Sequence, residues 1–273
     1  MKMLLKDGKR KVITLSYDDG VVQDKRLIEI LDKYGLKATF NINTGCYYQG
    51  VADPEKGRMT RESAIELFKN SGHEVAVHGY THPFFHRLDS SELIYEIVTD
   101  RKNIEADYGV IARGAAFPFG KYSDDVIDVL IKCHIVYART TESTFRFDFP
   151  RDWMRLHPTC HHKSDKLMEL AEKFIEKEHA YGESQMFYLW GHSYEFDNDD
   201  NWDVIERFAE YVSGRDNIWY ATNIEIYDYV EAYKRLITSY DKKIVYNPSS
   251  VSVWVEIRGE VYRIDAGQTI FVP

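Results

Sequence analysis

The chain has 273 residues, 44% of them hydrophobic, with 44 acidic against 35 basic side chains and a formal charge of −9. That length can bury a sizeable core, and the acidic excess argues against a nucleic-acid partner or an anionic bilayer, either of which would repel it. No stretch reaches the ~18 consecutive apolar residues of a membrane span, and Met1 to Arg10 lacks the apolar run of a signal peptide, so we expect a soluble, cytoplasmic protein.

Short β-branched runs alternate with amphipathic helical patterns as far as about residue 237, the rhythm of a parallel sheet with crossover helices. Val12 to Leu15 reads as a strand, and Leu27, Leu31 and Tyr34 share a helical face that Gly35 ends. Ala38 to Ile42 is the next strand, followed by a helix over Thr60 to Asn70 and a strand over Glu74 to Val77. Asp89-Ser90-Ser91-Glu92 has capping-box spacing and opens a helix carrying Leu93, Ile97, Ile104 and Tyr108, closed by Gly109. Ala115 to Phe117 precedes a helix from Ser123, Ile135 to Ala138 an irregular stretch, and Leu156 a helix from Ser164. Met186 to Trp190 precedes a helix over Asn201 to Val212, and Ile218 to Ala221 one from Ile224. These make about seven strand-helix units, one short of a closed eight-stranded barrel. From Val251 the period changes to alternation (Val251, Val253, Val255, Ile257), with a turn at Arg258-Gly259 and further strands over Val261 to Ile264 and Thr269 to Val272. We therefore expect a main domain over 1–238 and a small antiparallel β appendage over 239–273, packed on it because so short a segment folds poorly alone.

Two clusters fall directly after strands, where a parallel α/β architecture places its active-site loops. Ser16-Tyr17-Asp18-Asp19-Gly20 follows the first of these strands, and adjacent carboxylates repel, so one commonly binds a cation while the other serves as a base. The plainer reading is a turn whose aspartate caps the next helix. His78-Gly79-Tyr80-Thr81-His82 offers two imidazoles four residues apart, suited to zinc and similar ions. An isolated pair of this spacing is weak by itself. The two clusters emerge at the same end of nearby strands, so Asp19, His78 and His82 could meet at one ion with a position left open for water or substrate. His192, in Trp190-Gly191-His192, ends a later strand; His161 and His162 follow another and suit a place in the pocket or behind it, the Cys160 thiol lacking an orienting partner for nucleophilic work. Cys46, Cys133 and Cys160 are odd in number and read as reduced thiols. Tyr47, Tyr48 and Phe119 lie in loops after strands and are candidates to stack on a ring-shaped substrate; His73 and His86 read as structural.

The combination SYDDG, HGYTH, Phe117-Pro118-Phe119-Gly120 and Trp190-Gly191-His192 resembles the polysaccharide deacetylases, the NodB-homology family of family 4 carbohydrate esterases, over about residues 10–235. The resemblance implies an α/β fold, a distorted (β/α)7 barrel, and hydrolysis of N- or O-linked acetyl groups on a carbohydrate by a metal-bound water. It implies Asp18 as catalytic base, His192 as general acid, and Asp19, His78 and His82 as ligands of a divalent metal, Zn2+ first, with Co2+ or Ni2+ as alternatives. Three positions depart from the family's pattern. Ala116 stands where an arginine usually pairs with the catalytic aspartate, leaving Arg113 to reach inward. Trp190 stands where a leucine usually walls the acetyl pocket, and Asp152-Trp153 occupies the place of the motif that tunes the acid histidine. The missing arginine leaves a silent glycan-binding protein as one alternative; hydrolysis of a cyclic ureide or imide is another, and the oligomeric state stays open.

Overall fold

The computed structural model describes residues 1–50 and 57–273. The elements in chain order are β1 (Lys2–Leu4), β2 (Lys11–Asp18), α1 (Asp24–Lys33), β3 (Ala38–Ile42), α2 (Arg61–Phe68) and β4 (Glu74–Val77). Then come α3 (Ser90–Tyr108), β5 (Gly114–Ala116), α4 (Asp124–Lys132), β6 (Tyr137–Arg139), β7 (Cys160–His161) and α5 (Leu167–Glu176). They are followed by β8 (Gln185–Gly191), α6 (Tyr194–Asn198), α7 (Asp203–Val212), β9 (Ile218–Tyr220) and α8 (Asn223–Lys234). The chain ends in β10 (Ile237–Thr238), β11 (Ile244–Tyr246), β12 (Val253–Ile257), β13 (Glu260–Ile264) and β14 (Thr269–Phe271).

Strands β2 to β8 form one curled parallel sheet in the order β6-β5-β4-β3-β2-β8-β7, while β9 pairs with the first half of β2, below β3 on the same edge. This is the seven-stranded distorted (β/α) barrel expected from the repeating units. A bridge between Arg139 and Leu156 links the two ends of the curl. β2 is buried along its whole length, as a strand covered on both faces must be. Parallel register brings the C-terminal ends of β2, β4, β6, β7 and β8 to one mouth.

Local signals set most helix boundaries. The Asp89/Glu92 capping box forms at the start of α3, and Gly109 closes it in the left-handed conformation at φ 71°. Thr60 and Ser123 cap α2 and α4 from their side chains. Several boundaries differ from the sequence expectation. α5 starts at Leu167 rather than Ser164, α7 at Asp203 with Trp202 before it, and β6 lies over Tyr137–Arg139 rather than 135–138. The last shift places Arg139 at the end of a strand.

The terminal strands form two small antiparallel sheets. One is β1-β12-β13, so the first residues of the chain join the last; the other is β10-β11-β14. Val253, Val255, Ile257 and Ile264 pack with Leu5, Trp219 and Tyr229 in a core that runs on into the barrel strands through Val12, Tyr137, Met186 and Tyr188. Tyr229 on α8 locks this layer, donating to Leu4 O at 2.8 Å and accepting from Trp254 N at 2.9 Å. Among the described residues no helix is long and apolar enough to cross a membrane, and the three cysteines are free.

Candidate active site

Asp18 is the last residue of β2 and is buried; Asp19 follows it with a φ of 84°. A left-handed aspartate is an uncommon, mildly strained conformation that clusters at functional turns. It turns consecutive carboxylates toward the same mouth. Asn41, the partner of Asp18 in the register of β2 and β3, donates from Nδ2 to Asp18 Oδ1 at 2.9 Å. The other Asp18 oxygen is paired with the guanidinium of Arg139, which is fully buried. Burial pulls the Asp18 carboxyl upward, but Arg139, His78 and His192 outweigh it and hold the group well below the usual carboxylate range. Neither aspartate caps the next helix. The N-cap residue of α1 is Gln23, which makes no side-chain cap bond, and Asp24 in the first turn reaches back to accept from Val21 N at 3.0 Å.

His78 follows β4 and is buried, and His82 closes the turn with a φ of 58°. Nδ1 of His78 lies 3.0 Å from Ala116 O; a carbonyl only accepts, so Nδ1 carries the hydrogen and Nε2 keeps its lone pair for the cleft. That Nε2 is 3.7 Å from Asp18 Oδ2 and 4.0 Å from Asp19 Oδ1, and His82 Nε2 is 3.5 Å from Asp19 Oδ1. One donor atom from each of Asp19, His78 and His82 lies within 4.8 Å of the others. Burial, reinforced by His78, pushes His82 down to about 4, and burial lowers His78 as well. Both imidazoles are therefore neutral near pH 7, the form that ligates a metal.

A second layer holds this turn. Asp100 Oδ2 accepts from His78 N at 3.0 Å, Asn43 Nδ2 donates to His78 O at 2.6 Å, and Glu96 accepts from Thr81 N at 2.7 Å. Gly79, at φ 80°, has no room for a side chain, since a Cβ there would sit 2.7 Å from the Phe85 ring. Arg58 donates to Asp19 O and its guanidinium lies 3.4 Å from Asp19 Oδ1.

His192 follows β8. Its Nε2 is 3.9 Å from Asp18 Oδ2, and its Nδ1 and backbone N each lie 3.2 Å from Glu195 Oε2. Burial lowers His192, but the Glu195 hydrogen bond with Asp18 and Asp19 nearby raises it above the usual histidine value. His161 Nε2 and His162 Nε2 reach the same Glu195 oxygen at 3.1 and 3.2 Å.

Several sequence assignments are corrected. Arg113 does not reach inward: it forms a two-pronged pair with Asp228 on α8, at 3.0 and 2.6 Å. Arg139, from the strand beside β5, supplies the guanidinium that Ala116 cannot. Asp152 does not tune His192, because its carboxyl binds Met154 N at 2.9 Å and pairs with Arg155, while Trp153 packs edge-on against Tyr227. Glu195 takes that position. Trp190 is buried under Arg139, whose guanidinium carbon lies 4.4 Å from the ring centre, with His161 against its edge. Tyr47 is no substrate contact: it is buried and hydrogen-bonded to Tyr108 at 2.9 Å. Phe119 is half exposed at 50%, stacked on Phe84 at 3.9 Å and edge-on to His82 at 4.5 Å, so an aromatic face borders the cluster. His73 is buried and accepts from Ala38 N at 3.1 Å, a structural place. Arg139 and Glu195 carried only faint signals, a charge ending an apolar strand and a carboxylate three residues beyond a histidine.

Fold and mouth together define a distorted (β/α) barrel with an aspartate-histidine cluster at its strand ends. Residues 5–138 match the model of the family described as polysaccharide deacetylase. The chain is 25% identical over 138 residues to the Bacillus subtilis protein YlxY, which is described as uncharacterized; the match covers 50% of this chain but 37% of that protein, so the chain spans little more than a third of its curated relative. Among solved structures, a Mycobacterium smegmatis protein assigned to the polysaccharide deacetylases is 18% identical with a TM-score of 0.61, over 86% of this chain and 95% of that one. A family 4 carbohydrate esterase from Streptomyces lividans gives 17% and 0.51, over 78% and 93%. The esterase domain of a xylanase from the hindgut metagenome of Trinervitermes trinervoides gives 15% and 0.51, over 82% and 92%. The structural likenesses establish the fold, and the match to the polysaccharide deacetylase family covers just under half of the chain, from β2 to the middle of β6.

Proposed function

We propose that this chain removes acetyl groups from a carbohydrate with the help of a divalent cation, Zn2+ first, held by Asp19, His78 and His82. The observation that carries the reading is the meeting of two carboxylates and two neutral imidazoles at one mouth, with His192 approaching Asp18 at 3.9 Å. The donor set fits an ion: His78 is fixed with its lone pair toward Asp19, and one carboxylate with two imidazoles is a common ligand trio of catalytic zinc sites. Such an ion would polarise the acyl carbonyl and make a nearby water more acidic.

The chain's own residues divide the remaining work. Asp18, kept ionised by Arg139, accepts a proton from the attacking water. Asn41 fixes the carboxylate from its other oxygen, so the basic atom has one orientation. His192, whose proton the Glu195 hydrogen bond holds more tightly against the opposing effect of burial, gives a proton to the departing amine or alcohol. Phe119 and Phe84 offer a flat apolar border on which the C–H face of a sugar ring can lie. Arg139 fills the place left by Ala116, which removes the feature that favoured a silent glycan-binding protein. The test is acetate release from acetylated chitooligosaccharides and acetylated xylan by zinc-loaded protein. Release that disappears in Asp18→Asn supports the reading; glycan binding with no acetate released at any metal concentration sinks it.

A further inference from the structure

We infer that His161, His162 and Glu195 form a second divalent-cation site, separate from the Asp19, His78 and His82 cluster. His161 Nε2 and His162 Nε2 lie 3.1 and 3.2 Å from one oxygen, Glu195 Oε2. Donor atoms of the three residues all lie within 4.8 Å of one another. In a tetrahedral zinc site with bonds of ~2.0 to 2.1 Å, neighbouring ligand atoms are separated by roughly 3.3 Å, so the two distances to Glu195 Oε2 match edges of such a site.

The second, independent observation is His162. It is buried at 1% exposure, yet neither ring nitrogen has a hydrogen-bond partner. Its Nε2 is at hydrogen-bond distance from Glu195 without the direction of a hydrogen bond. An unpaired polar group in the interior is destabilising, and an ion on Nε2 would give that nitrogen a partner. The ring is fixed in place, stacked on Phe196 at 4.2 Å and on Tyr17 at 5.8 Å. Gly191 leaves it room, because a Cβ at that position would fall 2.0 Å from His162 Nδ1.

The remaining contacts of Glu195 are compatible with an ion. His192 donates from Nδ1 to Oε2, and Lys163 Nζ sits 3.5 Å from the other oxygen. His161 and Glu195 are only partly covered, which leaves a way in. Two imidazoles and a carboxylate suit zinc or a neighbouring first-row ion rather than calcium or magnesium. Bound there, the ion ties the end of β7 to the start of α6 and makes Glu195 a positioning residue for His192.

The experiment is metal counting, which does not depend on acetate release. Chelator-stripped protein is equilibrated with Zn2+, freed of loose ion by gel filtration and analysed for elements; Co2+ loading adds a visible absorption band from tetrahedral ligation. Wild type should hold two equivalents. An Asp19→Asn/His82→Ala variant should hold one, and adding His161→Ala to that background should remove it while circular dichroism stays unchanged. Anomalous diffraction at the zinc edge on wild-type crystals reads the same question without any substitution. One equivalent in wild type, lost completely in Asp19→Asn/His82→Ala, or no anomalous peak beside Glu195, overturns the inference even if the deacetylase reading stands.

Discussion

Arg139 pairs with Asp18 across 121 positions of sequence, with both side chains buried. Its guanidinium carbon lies over the Trp190 ring, 4.4 Å from the ring centre, so the tryptophan in the place of a pocket-wall leucine serves as a platform for the arginine. Removing one partner of a buried pair leaves an uncompensated charge, at a cost of about 3 to 5 kcal/mol. Arg139→Met should lower stability by about that amount and cut turnover on the order of a hundredfold or more. Adding Asp18→Asn should recover most of the stability and none of the activity; urea denaturation and acetate release read the two effects separately.

Metal content should separate ligands from base. His82→Ala is expected to lose the ion and with it activity, whereas Asp18→Asn should keep the ion and lose roughly 10² to 10⁴ in turnover. Elemental analysis of the two purified variants decides this, and full occupancy with full activity in His82→Ala would show the ligand assignment to be wrong. With two ions bound to wild type, the fall in His82→Ala is by one.

His192 should matter more to an amide than to an ester, because an amine departs poorly unless protonated. His192→Ala is expected to slow N-acetyl hydrolysis at least tenfold more than O-acetyl hydrolysis. Equal losses on matched N- and O-acetylated substrates would remove His192 from the acid role.

Away from the mouth, Glu74 on β4 accepts from Tyr137 Oη and Thr39 Oγ1, each at 2.7 Å, and from Ile224 N at 2.9 Å. Burial pushes its carboxyl up to about 7, well above an unfolded glutamate at about 4.3. The folded protein thus holds this proton more tightly than the unfolded chain. Its stabilising contribution is complete below about pH 4 and is lost as the pH rises through 7. Glu74→Gln should flatten this part of the Tm profile, by about 1 to 3 kcal/mol between pH 5 and 8. An unchanged slope would place the titration elsewhere.

Phe119 should contribute to substrate binding more than to chemistry. Phe119→Ala is expected to raise KM several-fold on an oligosaccharide while kcat changes little, since the ring borders the cluster without a polar group to offer. A loss confined to kcat would contradict a platform role.

Asp18, Asp19, His78 and His82 were legible because each pair is local and follows a strand, and parallel strands deliver their C-terminal ends to one mouth whatever the loops do. His192 was legible for the same reason. Arg139 was not: its strand ends one residue later than the hydrophobic run suggests, and nothing local to 137–140 refers to Asp18. Arg113 was the nearest arginine to the expected place in sequence, but Asp228 on α8 captures it on the outside. Asp152 failed similarly, because the turn beginning at Trp153 uses its carboxyl for itself.

By itself the sequence determined the alternation of strands and helices, the barrel with its seven units, the terminal antiparallel strands and the two paired motifs, all of which arise from short-range periodicity and turn chemistry. Only the tertiary structure decided which arginine holds Asp18, that Glu195 gathers His161, His162 and His192, and that the first strand of the chain joins the last sheet. These are pairings between distant segments. They depend on the curl of the sheet and on which charges burial forces together, and no spacing along the chain encodes either.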